Sequence, residues 1–144
     1  MLNRLFICSV ITLCLLTGCV RAAASTDKNP ADPAQAAPKE GEYRKISAQE
    51  AHKMMSGTND YVLLDVRTAA EYKEQQIDGA LLIPDNEIKN RATAELPDKN
   101  KVILIYCRSG RRSESAAREL VNLGYVNVFD FGGIINWPYD TVRD

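Results

Sequence analysis

The chain has little of the chemistry on which metal centres and nucleic-acid binding depend. Its 144 residues include one histidine, His52, and four cysteines. A zinc site built by a protein usually takes three or four nitrogen, sulfur or carboxylate ligands, so we predict no metal site. The formal net charge is −1, from 18 basic and 19 acidic side chains. This balance provides no basic field for nucleic acid, which we exclude as a partner.

The chain also lacks an apolar run long enough to cross a bilayer. Residues 5–16 (LFICSVITLCLL) form a run of about a dozen residues, whereas a membrane-spanning helix needs about 20. The run follows Arg4 and is typical of the apolar part of a secretory signal. It leads into Leu-Thr-Gly-Cys at residues 16–19, which resembles the bacterial lipobox. We therefore predict a signal peptide at residues 1–18 and lipid on Cys19; the alternative is an ordinary signal cleaved after the alanines at 22–24.

The lipobox interpretation predicts an exported protein anchored in a bacterial cell envelope through the lipid on Cys19. Val20 follows that cysteine, where an aspartate would argue for the inner membrane, so a Gram-negative host would hold the anchor on the periplasmic side of its outer membrane. Residues 20–42 are rich in Ala, Pro, Lys and Asp and have almost no large apolar side chain. We interpret residues 19–42 as the lipidated cysteine and a disordered tether.

One thiol, Cys107, then remains in the exported domain. Cys8 and Cys14 leave with the signal peptide and Cys19 carries lipid, so no intramolecular disulfide can form. An unpaired thiol in an oxidising compartment indicates a reactive group. A buried, inert cysteine is the alternative that composition leaves open.

Residues 43–144 alternate between short apolar runs and amphipathic stretches, which is typical of one α/β domain with a parallel sheet. Two capping boxes, Ser47 with Glu50 and Thr68 with Glu71, predict the starts of two helices. Strands are predicted at 43–46, 61–66, 81–83, 102–106 and 126–131, and helices at 47–56, from 68, at 85–94 and at 113–123.

Cys107 directly follows the strand VILIY and precedes a helix, so residues 107–113 (CRSGRRS) form a strand-to-helix crossover loop. Parallel α/β folds bind ligands at this edge of the sheet. Gly110 permits a curled loop whose N–H groups converge in front of the helix, and three arginines add positive charge. We predict a thiol of lowered pKa that needs no general base. His52 is interpreted as a solvated residue of a surface helix.

Four segments in this order and at this spacing resemble the rhodanese family over nearly the whole of residues 43–144. They are Leu-Asp-Val-Arg at 64–67 with Glu71 and Tyr72, Ile-Asp-Gly-Ala at 77–80 with Ile83 and Pro84, the loop 107–113, and the glycines 132–133 before Trp137. The resemblance implies a three-layer α/β/α domain with a mainly parallel sheet of about five strands and no cofactor. It also implies a sulfurtransferase that moves a sulfane sulfur from thiosulfate or a persulfide to cyanide or a thiol.

The resemblance further implies roles for individual residues. Cys107 is the nucleophile that holds the sulfur as a persulfide, and the substrate cradle is formed by Arg108, Ser109, Gly110, Arg111 and Arg112. Possible supporting residues are Asp65, Arg67 and Ser113, although a structural ion pair is an equal explanation for the first two. Gln76 departs from the family, in which a histidine is common at that position. Trp137 and Tyr139 are interpreted as packing residues.

Two further functions remain open. Related cysteine phosphatases and arsenate reductases place an arginine six residues after the cysteine to clamp an oxyanion, but Ser113 occupies that position here. Rhodanese-like domains can also act as interaction modules, which commonly lack the cysteine, or as persulfide carriers for one partner. We predict a monomer that acts on small sulfur-containing anions or persulfides.

Overall fold

The computed structural model describes residues 41–143. The predicted signal peptide, Cys19 and nearly all of the predicted tether lie outside the described residues, as does Asp144. Within residues 41–143, no helix has the length and apolar character needed to cross a membrane.

Five strands and four α-helices follow one another along the described chain. The strands are β1 (Arg44–Lys45), β2 (Tyr61–Asp65), β3 (Leu81–Leu82), β4 (Val102–Cys107) and β5 (Val128–Gly133). The helices are α1 (Ala48–Gly57), α2 (Ala69–Glu74), α3 (Ile88–Glu95) and α4 (Arg111–Asn122). Two short 3₁₀ helices lie at Asp85–Glu87 and Ile134–Asn136.

The strands form one parallel sheet in the order β1-β5-β4-β2-β3. The central strand β4 pairs with β2 on one side and with β5 on the other, so that Tyr106 lies beside Asp65 and Cys107 beside Gly133. Because all strands are parallel, their carboxyl ends meet at one edge of the sheet. The register therefore brings Asp65, Cys107 and Gly133 to the same edge.

Helices cover both faces of the sheet, and each face has its own apolar core. On one face, Ile103 and Ile105 belong to a buried cluster with residues of α3 and α4. On the other, Leu104 and Tyr106 pack with residues of α1 and α2 and with the 3₁₀ helix Ile134–Asn136. Successive residues of β4 alternate between these clusters because strand side chains alternate between faces. The three-layer α/β/α fold with five parallel strands is thus confirmed.

Both predicted capping boxes are present. The Ser47 hydroxyl accepts from the N–H of Glu50 at 3.1 Å, and the Glu50 carboxylate accepts from the N–H of Ser47 at 2.6 Å. Thr68 and Glu71 make the same pair of bonds at 3.3 and 3.0 Å. These side chains satisfy N–H groups that a helix start leaves without partners, which explains where α1 and α2 begin.

Several element boundaries differ from those expected. Helix α1 ends at Gly57, one residue after the expected end, and the predicted helix 85–94 is a 3₁₀ turn followed by α3. Strand β4 includes Cys107, and α4 begins at Arg111, two residues before the expected start at Ser113. The crossover is therefore only residues 108–110, because Gly110 adopts φ 105° and turns the chain straight into the helix.

Candidate active site

The active-site loop, defined here as residues 108–110, connects the end of β4 to the first turn of α4. Cys107 is the last residue of the strand, and its residue exposure of 1% places it inside the protein rather than on a surface loop. The N–H of Gly110 donates to Cys107 Sγ at 3.1 Å. The sulfur thus lies at the N-terminus of a 12-residue helix, where backbone N–H groups and the helix dipole stabilise negative charge.

The surroundings lower the pKa of the Cys107 thiol below its ordinary value. Burial, the largest single influence, raises the pKa, but hydrogen bonds to the thiolate outweigh it. The backbone N–H and the hydroxyl of Ser113 are the two largest lowering influences, followed by the N–H groups of Gly110 and Ser109. The lowered pKa favours the thiolate, which is the nucleophilic form of cysteine.

Gly133 gives the loop its support from the neighbouring strand β5. A β-carbon on Gly133 would lie 2.5 Å from the carbonyl oxygen of Arg108 and 2.6 Å from Cα of Ser109, so a larger residue does not fit. The N–H of Ile135 also donates to the Arg108 carbonyl at 3.3 Å. Two adjacent glycines are visible in the sequence, but their contact with a loop more than twenty residues earlier is not.

The three arginines near the sulfur have different surroundings. Arg108 and Arg111 are exposed. Arg112 donates from Nη1 and Nη2 to the two carboxylate oxygens of Glu71, at 2.8 and 2.7 Å. This bidentate pair, only 19% and 24% exposed at its side chains, holds the pKa of Glu71 down at about 2. Sequence reasoning did not identify Glu71 as a site residue.

Asp65 and Arg67 form a buried ion pair at the same sheet edge. The Arg67 Nε donates to both oxygens of Asp65 at 3.0 Å, and Nη2 donates to Asp65 Oδ2 at 2.6 Å. The same Nη2 also donates to the carbonyl of Gln75 at 2.5 Å. Asp65 is fully buried and Arg67 is 3% exposed. Through these contacts, the ion pair connects the end of β2 to the end of α2, which is a structural role.

Two clefts border the loop, one on each side. The first, of about 420 Å³, is lined by Arg67, Glu71, Glu74, Gln75, Arg108, Ile134, Ile135 and Arg143. The second, of about 320 Å³, is lined by Lys45, Ile46, Ser109, Gly110, Arg111, Glu114, Asp130, Phe131 and Gly132. One exposed arginine lines each cleft, Arg108 the first and Arg111 the second. Both have room for a small anion beside the loop.

Asp130 is a second site neighbour that sequence reasoning missed. It is 3% exposed, and its Oδ1 accepts from the N–H of Gly132 at 2.9 Å. Burial raises its pKa, which hydrogen bonds from Ser113 and the N–H of Gly132 partly offset. The Ser113 hydroxyl also lies 3.0 Å from the carbonyl oxygen of Gly110 and 3.3 Å from that of Gly132. Ser113 therefore connects the sulfur, the loop and β5.

His52 and Gln76 lie apart from this loop network. The His52 ring stacks on Tyr139 with ring centroids 3.8 Å apart, and Trp137 lies 6.0 Å away. His52 is thus a partly exposed helix residue with an aromatic neighbour that we did not expect, because the C-terminal segment folds back onto α1. Gln76 is buried and forms an isolated antiparallel bridge with Val142. Across residues 41–143, no group of three or more His, Cys, Asp and Glu side chains could hold a metal ion.

The fold and the site define a class of protein: an α/β domain with a buried cysteine of lowered pKa at the carboxyl end of its central strand. The rhodanese-like domain family matches residues 47–138 of this chain. Thiosulfate sulfurtransferase PspE of Escherichia coli is 38% identical over 71 residues, which are 49% of this chain and 68% of that protein. A sulfurtransferase of Allochromatium vinosum is 38% identical over 94 residues, 65% of this chain and 86% of the relative.

A solved structure of a rhodanese with anions from E. coli is similar as well, with a TM-score of 0.55 and 33% identity. The similarity covers 58% of this chain and 99% of that structure. The chain therefore belongs to the rhodanese-like domain family, which confirms the resemblance, and the two curated relatives named above are sulfurtransferases.

Proposed function

We propose that this protein transfers a sulfane sulfur from thiosulfate or a persulfide donor to cyanide or a thiol acceptor, with Cys107 as the sulfur carrier. The observation that supports this most directly is the Cys107 sulfur, which accepts the Gly110 N–H at 3.1 Å in front of α4. Such a thiolate can attack a donor without a neighbouring base. The two exposed arginines, Arg108 and Arg111, supply positive charge that attracts an anionic donor.

The first half-reaction loads sulfur onto the enzyme. The Cys107 thiolate attacks the outer sulfur of thiosulfate, a new S–S bond forms, and the S–S bond of thiosulfate breaks with its electron pair leaving on sulfite. The product is an anionic persulfide on Cys107. The thiolate carries its negative charge on Sγ and the persulfide carries it one S–S bond further out, on the terminal sulfur. The N–H groups and the helix N-terminus in front of Cys107 can stabilise negative charge in both states.

The second half-reaction returns the enzyme to its starting state. The carbon of cyanide, or the sulfur of a thiolate, attacks the terminal sulfur of the persulfide. The S–S bond then breaks and its electron pair returns to Cys107 Sγ. The products are the thiolate enzyme and thiocyanate or a new persulfide. No proton transfer is required in either step when the nucleophiles are ionised.

The arrangement of the loop favours this chemistry over phosphate ester hydrolysis. A phosphatase of the related type clamps its substrate with an arginine six residues after the cysteine. Ser113 occupies that position, and its hydroxyl lies against the carbonyl groups of Gly110 and Gly132. Arg112, one residue earlier, is bound by Glu71.

The test is the intact mass of the purified protein before and after thiosulfate. We expect the wild-type chain to gain one sulfur atom and to lose it on addition of cyanide, with release of thiocyanate. Cys107→Ser should show neither change while retaining its circular dichroism spectrum. A protein that gains no sulfur from thiosulfate or any persulfide, yet hydrolyses a phosphate ester in a Cys107-dependent way, would instead be a phosphatase.

We further propose that the mature protein is held in the cell envelope by lipid on Cys19. The support is the sequence Leu-Thr-Gly-Cys at residues 16–19 after a short apolar run. A lipid chain contributes about 0.8 kcal/mol per buried CH₂ group to membrane binding. Cys19→Ala should therefore release the protein from the membrane fraction. Retention of this variant after salt and carbonate washes would contradict the lipid anchor.

A further inference from the structure

The ion pair between Glu71 and Arg112 joins two elements that are distant in sequence at the active-site edge. Glu71 lies in the first turn of α2, and Arg112 lies in the first turn of α4, 41 residues later. Both Nη atoms of Arg112 are bound, at 2.7 and 2.8 Å, to the two oxygens of one carboxylate. Bidentate geometry of this kind restricts the orientation of a guanidinium group more strongly than a single contact does.

The Glu71 carboxylate is itself held in place on the α2 side. Its Oε2 accepts from the N–H and the hydroxyl of Thr68, each at 3.0 Å, as part of the capping box. The carboxylate therefore receives four hydrogen bonds, two from the cap and two from Arg112. Glu71 is thus a rigid anchor, and Arg112 is the side chain that it restrains.

The pair changes the charge that an incoming donor meets. Arg108 and Arg111 are exposed, whereas the positive charge of Arg112 is balanced by Glu71 at hydrogen-bonding distance. Arg112 lies in the first turn of α4, two residues after Gly110, whose N–H donates to Cys107 Sγ at 3.1 Å. Removing the carboxylate alone would uncover one unit of positive charge beside the reacting thiolate, while removing both partners would leave the local net charge unchanged.

We propose that Glu71 is a positioning and specificity-determining residue: it holds Arg112 away from the donor and so limits the attraction of the site for strongly anionic sulfur donors. The specificity for donors rests on the proposed sulfurtransferase function. The effect of Glu71 on anionic reagents at Cys107 is independent of that function, so the role of Glu71 and the proposed function can fail separately.

The experiment compares two alkylating reagents on the full chain, anionic iodoacetate and neutral iodoacetamide, with modification of Cys107 followed by peptide mass. The rate with iodoacetate divided by the rate with iodoacetamide reports the electrostatic attraction at the sulfur. Changes in thiol reactivity that affect both reagents cancel in this rate ratio. In Glu71→Gln the ratio should rise about threefold to tenfold at low ionic strength and fall back in high salt, as expected for one unit charge within a Debye length. Under the same conditions the KM for thiosulfate should fall by a similar factor.

Glu50→Gln is a matched control, because Glu50 has the same position in the other capping box, where its carboxylate caps the start of α1. This variant should have the wild-type rate ratio even if it loses stability. The double variant E71Q/R112Q should also return to the wild-type ratio, since it removes a neutral pair. If Arg112 were instead a direct ligand of the anion, the double variant would fall below wild type.

Two results would overturn the proposal: an unchanged rate ratio in folded E71Q, or a ratio in E71Q/R112Q well below that of wild type. Should E71Q fail to unfold cooperatively, R112Q and the double variant decide together: with the Glu71 charge uncovered, the ratio in R112Q should fall below wild type, and E71Q/R112Q should restore it. An unchanged ratio in R112Q, or no recovery in the double variant, would then overturn the proposal. An altered alkylation ratio in a protein that never gains sulfur from thiosulfate would support the role of Glu71 and contradict the proposed function.

Discussion

Replacing Gly133 by alanine should disrupt the active-site loop without touching the cysteine. The new β-carbon would lie 2.5 Å from the Arg108 carbonyl oxygen and 2.6 Å from Cα of Ser109. Contacts of a β-carbon under 3.0 Å are essentially never seen in proteins, so the loop must move by at least half an ångström. Both clashing groups are backbone, which cannot move aside by rotating a side chain.

The displacement should change both reactivity and stability. The Gly110 N–H that donates to Cys107 Sγ belongs to the loop that moves, so the pKa of the thiol should rise towards its ordinary value. A misplacement of about 1 Å at a reacting group can cost about 10²-fold in rate, so we expect kcat/KM for thiosulfate to fall about 10- to 100-fold. Overpacking should also lower the free energy of unfolding by about 1–3 kcal/mol.

The assays are steady-state sulfur transfer, the pH dependence of Cys107 alkylation, and unfolding in guanidinium chloride. Gly57→Ala is the matched control, because Gly57 is the last residue of α1 and a β-carbon there would meet no atom within 4 Å. It should leave sulfur transfer unchanged and stabilise the protein by up to about 1 kcal/mol. Wild-type kinetics and stability in Gly133→Ala would show that the loop does not depend on this contact.

Three further predictions concern buried polar groups. Asp65→Asn should lower the free energy of unfolding by about 3–5 kcal/mol in urea, because it leaves the buried Arg67 charge without its carboxylate; a loss below 1 kcal/mol would contradict this. Burial raises the pKa of Asp130, so its contribution to stability is complete below its ordinary pKa and is lost as the pH rises through the folded value. Asp130→Asn should therefore flatten this part of the pH–stability curve, and an unchanged curve would exclude the residue as its source. Ser113→Ala should shift Cys107 alkylation to higher pH through loss of its hydroxyl, whereas Ser109→Ala, which keeps its N–H, should not.

Features that depend on a few neighbouring residues were predictable from the sequence. The two capping boxes were correct because each involves hydrogen bonds between residues three positions apart. The core strands followed from apolar runs, since a strand buried on both faces needs apolar side chains throughout. Cys107 could be placed at the end of the central strand because that strand is the most apolar segment of the domain. Together with the family motifs, these features determined the fold class and the position of the candidate cysteine.

The tertiary structure decided which arginine is paired with a carboxylate and which is exposed. Arg111 and Arg112 are adjacent and chemically identical, yet only Arg112 lies opposite the start of α2, where Glu71 binds it. Which neighbour faces that carboxylate depends on the start of α4, and that start depends on the φ of 105° at Gly110. A shift of one residue in this start would rotate both side chains about the helix axis by roughly 100°.

The support of the loop likewise depends on long-range register. Gly133 contacts Arg108 because β5 pairs with β4 so that Gly133 lies beside Cys107. His52 meets Tyr139 because the C-terminal segment returns to α1. The sequence by itself determined the local elements, the family motifs and the place of Cys107 at the end of a core strand, because hydrogen bonds between near neighbours and apolar periodicity specify them. Only the tertiary structure decided which charges pair and which backbone atoms touch, because those contacts depend on the order and register of strands that are far apart in the chain.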